Sequence, residues 1–232
     1  MITSDRLPPP GFIHVDLDGL WTLAGAYGYP EGRSFHDDPV WQEALPRLLD
    51  LLAARGIRAT FFLIGRDLDL EPKRAGAAAI VAAGHAVANH TQSHRLDLEL
   101  LDADVLDREL IQARDAIEAA TGRRPIGFRA PGYGAGERVL AACARTGHRY
   151  DGSCLPTPLG PVLRLLAGRL RRRVRAALSE GIRLVPGAEM QYGGCRIDPR
   201  DRLAAGWWRA GADGPALLRL PLATSPVLGL PL

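Results

Sequence analysis

Short strand-like runs separated by long stretches of helical spacing constrain this chain more than any other feature. Apolar or alternating runs near residues 12–18, 58–64, 85–89, 125–129, 148–153, 182–185 and 217–222 read as strands. Residues 39–55, 72–83, 102–121, 136–146 and 161–179 read as helices between them. In the third of these, Val105, Leu106, Leu110, Ile111, Ala113 and Ile117 share one helical face, and Gly122 offers a C-cap. Alternation of this kind builds parallel sheet, because a parallel neighbour requires a crossover and a helix supplies it. A length of 232 residues suits one such domain, and 47% apolar residues with nearly balanced charge argue against disorder.

Chemistry-bearing residues gather where these strands end. Phe12-Ile13-His14-Val15-Asp16-Leu17-Asp18-Gly19 alternates with a period of two, so His14, Asp16 and Asp18 share one face and Ile13, Val15 and Leu17 the other. Two carboxylates on one face repel and are costly to bury, which a metal ion or a nearby arginine relieves. His90 and His94 follow the run at 85–89. A spacing of four lets both imidazoles face one point from a single helical turn, the arrangement of two ligands of one metal ion. A third ligand must come from elsewhere; Asp18 could bind the same ion while Asp16 stays free as a base.

Read in order, these segments resemble the polysaccharide deacetylases, carbohydrate esterase family 4, also called the NodB homology domain. Val15-Asp16-Leu17-Asp18-Gly19 looks like the first motif and His90-Thr91-Gln92-Ser93-His94 fits the metal-binding His-Ser/Thr-x-x-His. Ala59 to Gly65 resembles the second barrel strand, Phe128-Arg129-Ala130-Pro131-Gly132-Tyr133 is similar to Arg-x-Pro-Tyr with one residue inserted, and Tyr150 to Pro156 is loosely similar to the fourth motif. The resemblance implies a distorted (β/α)7-type barrel over residues 12–232, after an arm at 1–11. It also implies a divalent metal, zinc before Co2+, Mn2+ or Ni2+, and hydrolysis of an N-acyl group from an amino sugar in a polysaccharide, oligosaccharide or lipid-linked glycan. Asp18, His90 and His94 are then the metal ligands, and Asp16, Arg129, Tyr133 and Asp151 the catalytic set. Arg129 would pair with Asp16, and the Tyr133 backbone amide would hold the oxyanion, with Gly132 leaving open which amide is used.

One part of the pattern is missing. The family's Leu-x-x-His histidine protonates the departing amine, and no histidine follows His148. The apolar ending Leu220 to Leu232 reads as the lead-in to a last strand that is absent. The alternatives are a substitute histidine, with His36 in the loop Leu20 to Asp38 the candidate, or a carbohydrate- or metal-binding domain without turnover. A deformylase of a lipid-linked amino sugar also fits an Asp-x-Asp first motif. His14 and His85 read as interior and structural, and His148 as near the barrel floor.

Cys143, Cys154 and Cys195 lack a Cys-x-x-Cys spacing and read as reduced thiols. Without a signal segment or a run approaching roughly 18 apolar residues, the expected location is cytoplasmic. A net charge of +3 makes nucleic acid a poor partner. Residues 161–180 interleave Arg164, Arg169, Arg171, Arg172, Arg173 and Arg175 with leucines, the pattern of a basic amphipathic helix that fits an anionic lipid surface. Binding to anionic vesicles is then expected to fall steeply with salt, since the attraction is screened within about 8 Å at physiological ionic strength. In a vesicle co-sedimentation assay, Arg171, Arg172 and Arg173 replaced by Gln should give the same loss, and salt-independent binding would leave the segment a solvated helix.

Overall fold

The computed structural model describes residues 12–26, 35–154, 206–211 and 214–221. Seven strands form one sheet: β1 Ile13–Asp16, β2 Ala59–Leu63, β3 Ala86–Asn89, β4 Gly127–Phe128, β5 Tyr150–Cys154, β6 Gly206–Arg209 and β7 Ala216–Pro221. Their spatial order is β1-β2-β3-β4-β5-β7-β6. All neighbours are parallel except β6 and β7. Chain order and spatial order coincide from β1 to β5, the winding of a barrel, in which right-handed crossovers place every helix on the same side. The result is a curled half-barrel consistent with a distorted (β/α)7 fold.

The helices are α1 Leu20–Ala26, α2 Leu45–Ala54, α3 Glu71–Ala82, α4 Ala103–Thr121 and α5 Glu137–Arg145. Helix α4 ends as its sequence requires: Gly122 adopts φ +67°, a left-handed cap that a glycine takes without a Cβ clash. Its buried residues Leu106, Leu110, Ala113 and Ile117 come from the predicted face. Strand alternation divides the two sides of the sheet. Phe61 and Leu63 face outward into a core with Trp41, Leu45, Leu52, Ala77, Ile80 and Ile117, whereas Phe62, between them, points inward against His14 and His90. A second core joins Leu106, Leu110 and Phe128 to Val139, Leu140 and Leu217.

Two elements differ from expectation. The segment after β1, read as a loop from Leu20 to Asp38, opens with helix α1, because Asp38 Oδ1 accepts the Leu20 amide at 3.2 Å and Thr22 ties back to Gly19. Strand β6 was unforeseen. Gly206 to Arg209 has no alternation to announce it, and the hairpin register with β7 together with a Trp208 Nε1 hydrogen bond to Glu137 on α5 sets it in place. The expected helix 161–179, the strand 182–185, the arm 1–11 and Cys195 lie outside the described residues. Among the described residues no helix is long and apolar enough to cross a membrane.

A buried ion cluster holds the segment that follows β1. Lys73 Nζ on α3 lies 2.9 Å from Asp38 Oδ2 and 2.6 Å from Asp67 Oδ1, and all three side chains are almost wholly removed from solvent. Asp67 Oδ1 also accepts Trp21 Nε1 at 2.8 Å, and Asp38 Oδ1 receives the amides of Leu20 and Val40. One cation serves two carboxylates, so burial outweighs Lys73 and Trp21 and raises Asp67 above its ordinary value. Lys73→Met would leave both carboxylates buried without a counter-charge, an arrangement that typically costs about 3–5 kcal/mol. Thermal unfolding should show a large loss of stability that Lys73→Met/Asp67→Asn partly recovers; an unchanged midpoint would mean that the cluster does not hold the fold.

Candidate active site

Asp18, His90 and His94 converge at the ends of β1 and β3. Their ligand atoms all lie within 4.8 Å of one another, a grouping that could hold a metal ion. Asp18 Oδ1 is 3.3 Å from His90 Nε2, and Asp18 Oδ2 is 3.4 Å from His94 Nε2. The two imidazoles meet edge to face at 5.1 Å between centroids. His90 Nδ1 donates to the Arg129 carbonyl at 2.8 Å, which fixes the tautomer and leaves Nε2 aimed at Asp18. Asp18 Oδ1 is buried yet lacks a well-aligned hydrogen bond, as a carboxylate oxygen reserved for a cation would be. This donor set, two imidazole nitrogens and one carboxylate, fits a divalent metal of the zinc type. Burial works to raise the Asp18 carboxyl, but hydrogen bonds and charge from both histidines outweigh it and hold it well below the usual carboxylate range. Burial opposes the His90 charge, and Asp18, Asp16 and the Arg129 carbonyl together raise it.

The two histidines converge for a reason other than the one their spacing suggested. Residues 90–94 are not helical: Thr91 at φ +66° and His94 at φ +54° both take the left-handed conformation, uncommon for residues with a Cβ. Asn89 Oδ1 accepts the Thr91 amide at 2.8 Å, Thr91 Oγ1 accepts the His94 amide at 3.1 Å, and Ser93 donates twice to Glu109 of α4. This polar network, rather than a helical turn, aims His90 and His94 at one point.

Arg129 is the centre of the adjoining layer. It is 2% exposed, and its three nitrogens reach Asp16 Oδ1 at 2.6 Å, His14 Nδ1 at 2.7 Å and the Gly152 carbonyl at 2.8 Å. The guanidinium lies 4.2 Å above the Phe62 ring. Gly152 makes the room, since a Cβ there would stand 3.3 Å from both Arg129 and Phe62. Because arginine only donates, His14 Nδ1 accepts and the ring is neutral. Burial first, and then the Arg129 charge, lower His14 to about 4 against the pull of Asp16. Sequence reasoning read His14 as interior filling and did not foresee this bond, although its place two residues before Asp16 on one strand face was the available sign.

Tyr133 stands in a tight turn, Pro131–Tyr133, with Gly132 at φ +60° and Tyr133 itself at φ +58°. Its backbone amide donates to the Ala130 carbonyl at 2.9 Å. Its ring is 5.8 Å from the Arg129 guanidinium, and burial first, then the Asp16 charge, raise the phenol above its ordinary value. Asp151 is fully buried, paired with Arg219 Nε at 3.0 Å and bonded to Ser153, whose Oγ accepts the Ala130 amide. Through Ser153 it is tied to the backbone just after Arg129. His36 is exposed beside a hollow lined by Asp38, Trp41, Gln42, Pro72 and Lys73. Trp21, unassigned from sequence, walls His94 edge to face at 6.4 Å.

A family model described as polysaccharide deacetylase matches residues 33–150, half of the chain, and the chain belongs to that family. The chitooligosaccharide deacetylase of Sinorhizobium fredii is 36% identical over 134 residues, which cover 56% of this chain and 60% of that protein. The peptidoglycan-N-acetylglucosamine deacetylase of Bacillus cereus is 30% identical over 117 residues, 49% of this chain and 40% of its own. The chain thus spans about half the length of these curated relatives. A solved structure from Mycobacterium smegmatis assigned to the polysaccharide deacetylases shares the fold, with a TM-score of 0.61 at 20% identity over 91% of this chain and 58% of that one.

The loop that carries His90 and His94 rests on His148. Asn89 Nδ2 donates to its Nε2 at 3.1 Å and to the Leu110 carbonyl, while Asn89 Oδ1 is committed to Thr91, so the amide cannot turn round. His148 must therefore be neutral, with its Nδ1 proton directed to Thr146 Oγ1 at 3.0 Å. Burial, the largest cause, lowers it to about 4. The unfolded chain, titrating near 6.5, takes up the proton first, so stability is complete above that value and is lost as pH falls towards 4. Urea unfolding between pH 7 and 5 should show a falling midpoint that His148→Gln flattens; identical slopes would show that His148 is charged in the folded protein.

Proposed function

We propose that this chain is a metal-dependent N-deacetylase of an amino sugar in a polysaccharide, oligosaccharide or lipid-linked glycan, with zinc as the preferred metal. The observation that carries this reading is the juxtaposition of the Asp18–His90–His94 group with an Asp16 held by a buried arginine at 2.6 Å. The relatives' names, peptidoglycan and chitooligosaccharide deacetylases, support the class of substrate. Asp18, His90 and His94 would hold the metal, which when bound lowers the pKa of water and polarises the amide carbonyl. Asp16 takes the proton from the attacking water. Arg129 keeps Asp16 oriented, and His14 and the Gly152 carbonyl keep Arg129 in place. Asp151, through Ser153, fixes the Ala130 amide and so supports the segment leading to Tyr133.

Metal analysis and acetate release from N-acetylated chito-oligosaccharides test the assignment. About one equivalent of divalent metal is expected, falling sharply in Asp18→Ala and His90→Ala. Asp16→Asn should keep the metal and lower kcat by roughly 10²- to 10⁴-fold, the usual contribution of a general base. Unchanged metal content in both ligand variants would overturn the site, and a metal-loaded chain that releases no acetate would favour a binding domain.

A further inference from the structure

We infer that the hollow beside His36 is a second sugar-binding site, which holds one neutral pyranose unit of the glycan away from the Asp18–His90–His94 group. The inference rests on the deacetylase reading above and extends it to the length of the substrate. The hollow measures about 230 Å³, the scale of a single sugar ring, and is lined by His36, Asp38, Trp41, Gln42, Pro72 and Lys73. His36 to Gln42 follow β1, and Pro72 and Lys73 follow β2, so the hollow lies at the same end of the half-barrel as the site. From His36 the rings of Phe35 and Trp21 lead in edge-to-face steps to His94.

An unused donor points to a ligand. Trp41 is 5% exposed and its indole Nε1 is buried, yet among the described residues that nitrogen has no hydrogen-bond partner. A buried N–H is costly unless an acceptor reaches it. The benzo edge of the ring packs on α3, where a Cβ at Gly76 would stand 3.0 Å from Trp41 Cε3, so the opposite edge, with Nε1, is turned away from Gly76. Trp41 and Gln42 belong to a π-helical turn, Val40–Ala44, in which the Leu45 amide donates to the Val40 carbonyl five residues back. The widening has a local cause, since Pro46 at the start of α2 has no amide for the Gln42 carbonyl. Single π-helical turns inside helices are frequent at functional sites.

Charge decides what the hollow takes. Lys73 Nζ, the cation in its wall, is held by Asp38 at 2.9 Å and Asp67 at 2.6 Å, and Asp38 Oδ1 already receives the amides of Leu20 and Val40. An anion would meet a cation already balanced by two carboxylates, and a second cation would find Asp38 fully engaged. Hydroxyl groups fit instead. One accepts from Trp41 Nε1, while the exposed Gln42 amide both gives and takes hydrogen bonds and the His36 imidazole adds a further polar contact. Pro72, also exposed, offers an apolar surface to the C–H face of the ring.

Trp41→Phe removes the N–H and keeps an aromatic ring, and the double variant His36→Ala/Gln42→Ala changes only exposed side chains. Calorimetric titration with tetra-N-acetylchitotetraose should show binding to the parent chain that weakens about 2- to 10-fold in each variant, the value of one neutral hydrogen bond. In acetate release, kcat/KM of the parent chain should rise from the N-acetylated disaccharide to the hexasaccharide, and both variants should lose most of that rise through KM. Unchanged affinity in both variants overturns the inference, and so does a parent chain that binds no tetraose. An equal loss of kcat/KM at the two lengths also overturns it, since the hollow would then only support the fold of the site. A parent chain that binds the tetraose and releases no acetate from any of these oligosaccharides overturns the deacetylase reading instead, and the titration alone then decides the hollow. Should Trp41→Phe fail to fold, as its thermal midpoint shows, the double variant decides.

Discussion

A guanidinium buried inside a half-barrel needs every donor satisfied, and Arg129 organises the interior around that need. Asp16 on β1, His14 one strand repeat earlier, the Gly152 carbonyl on β5 and the face of Phe62 on β2 all converge on it. Removing a charge from water costs several kcal/mol unless its partners are well placed, so these neighbours are tightly specified. The Arg129 carbonyl extends the arrangement by accepting His90 Nδ1, and one residue thereby orients both Asp16 and His90.

Around this centre, strain and polar bonding replace regular structure. Thr91, His94 and Tyr133 are the described non-glycine residues with positive φ, and all three border the site. Such conformations persist where surrounding contacts over-determine them. Here the contacts are Asn89 with Thr91, Thr91 with His94, Glu109 with Ser93 and the turn hydrogen bond of Tyr133. The buried Asp38–Lys73–Asp67 cluster plays the matching part on the other side, fixing Trp21 against His94.

Family membership narrows the chemistry while leaving room for the chain's own solution. At Gly132 and Tyr133 the amide of the tyrosine turns inward to Ala130 and its ring lies 5.8 Å from the Arg129 guanidinium. Two consecutive left-handed residues, Gly132 and Tyr133, reverse the chain there.

By itself the sequence determined the alternation of strands and helices, the inward face of β1 and the identity of the groups that converge, since periodicity and residue chemistry are local properties. That Asp18, His90 and His94 could face one point was legible, and so was Arg129 as the partner of Asp16. Tertiary structure decided what depends on distant neighbours: the left-handed backbone that aims His90 and His94, the hairpin strand β6, helix α1, the bond from Arg129 to His14 and the pairing of Asp151 with Arg219. None of these leaves a periodic trace, because each is fixed by a partner far away in sequence. His14 and Arg129 are 115 residues apart, and only the closing of β1 against β2 and its neighbours brings them to 2.7 Å.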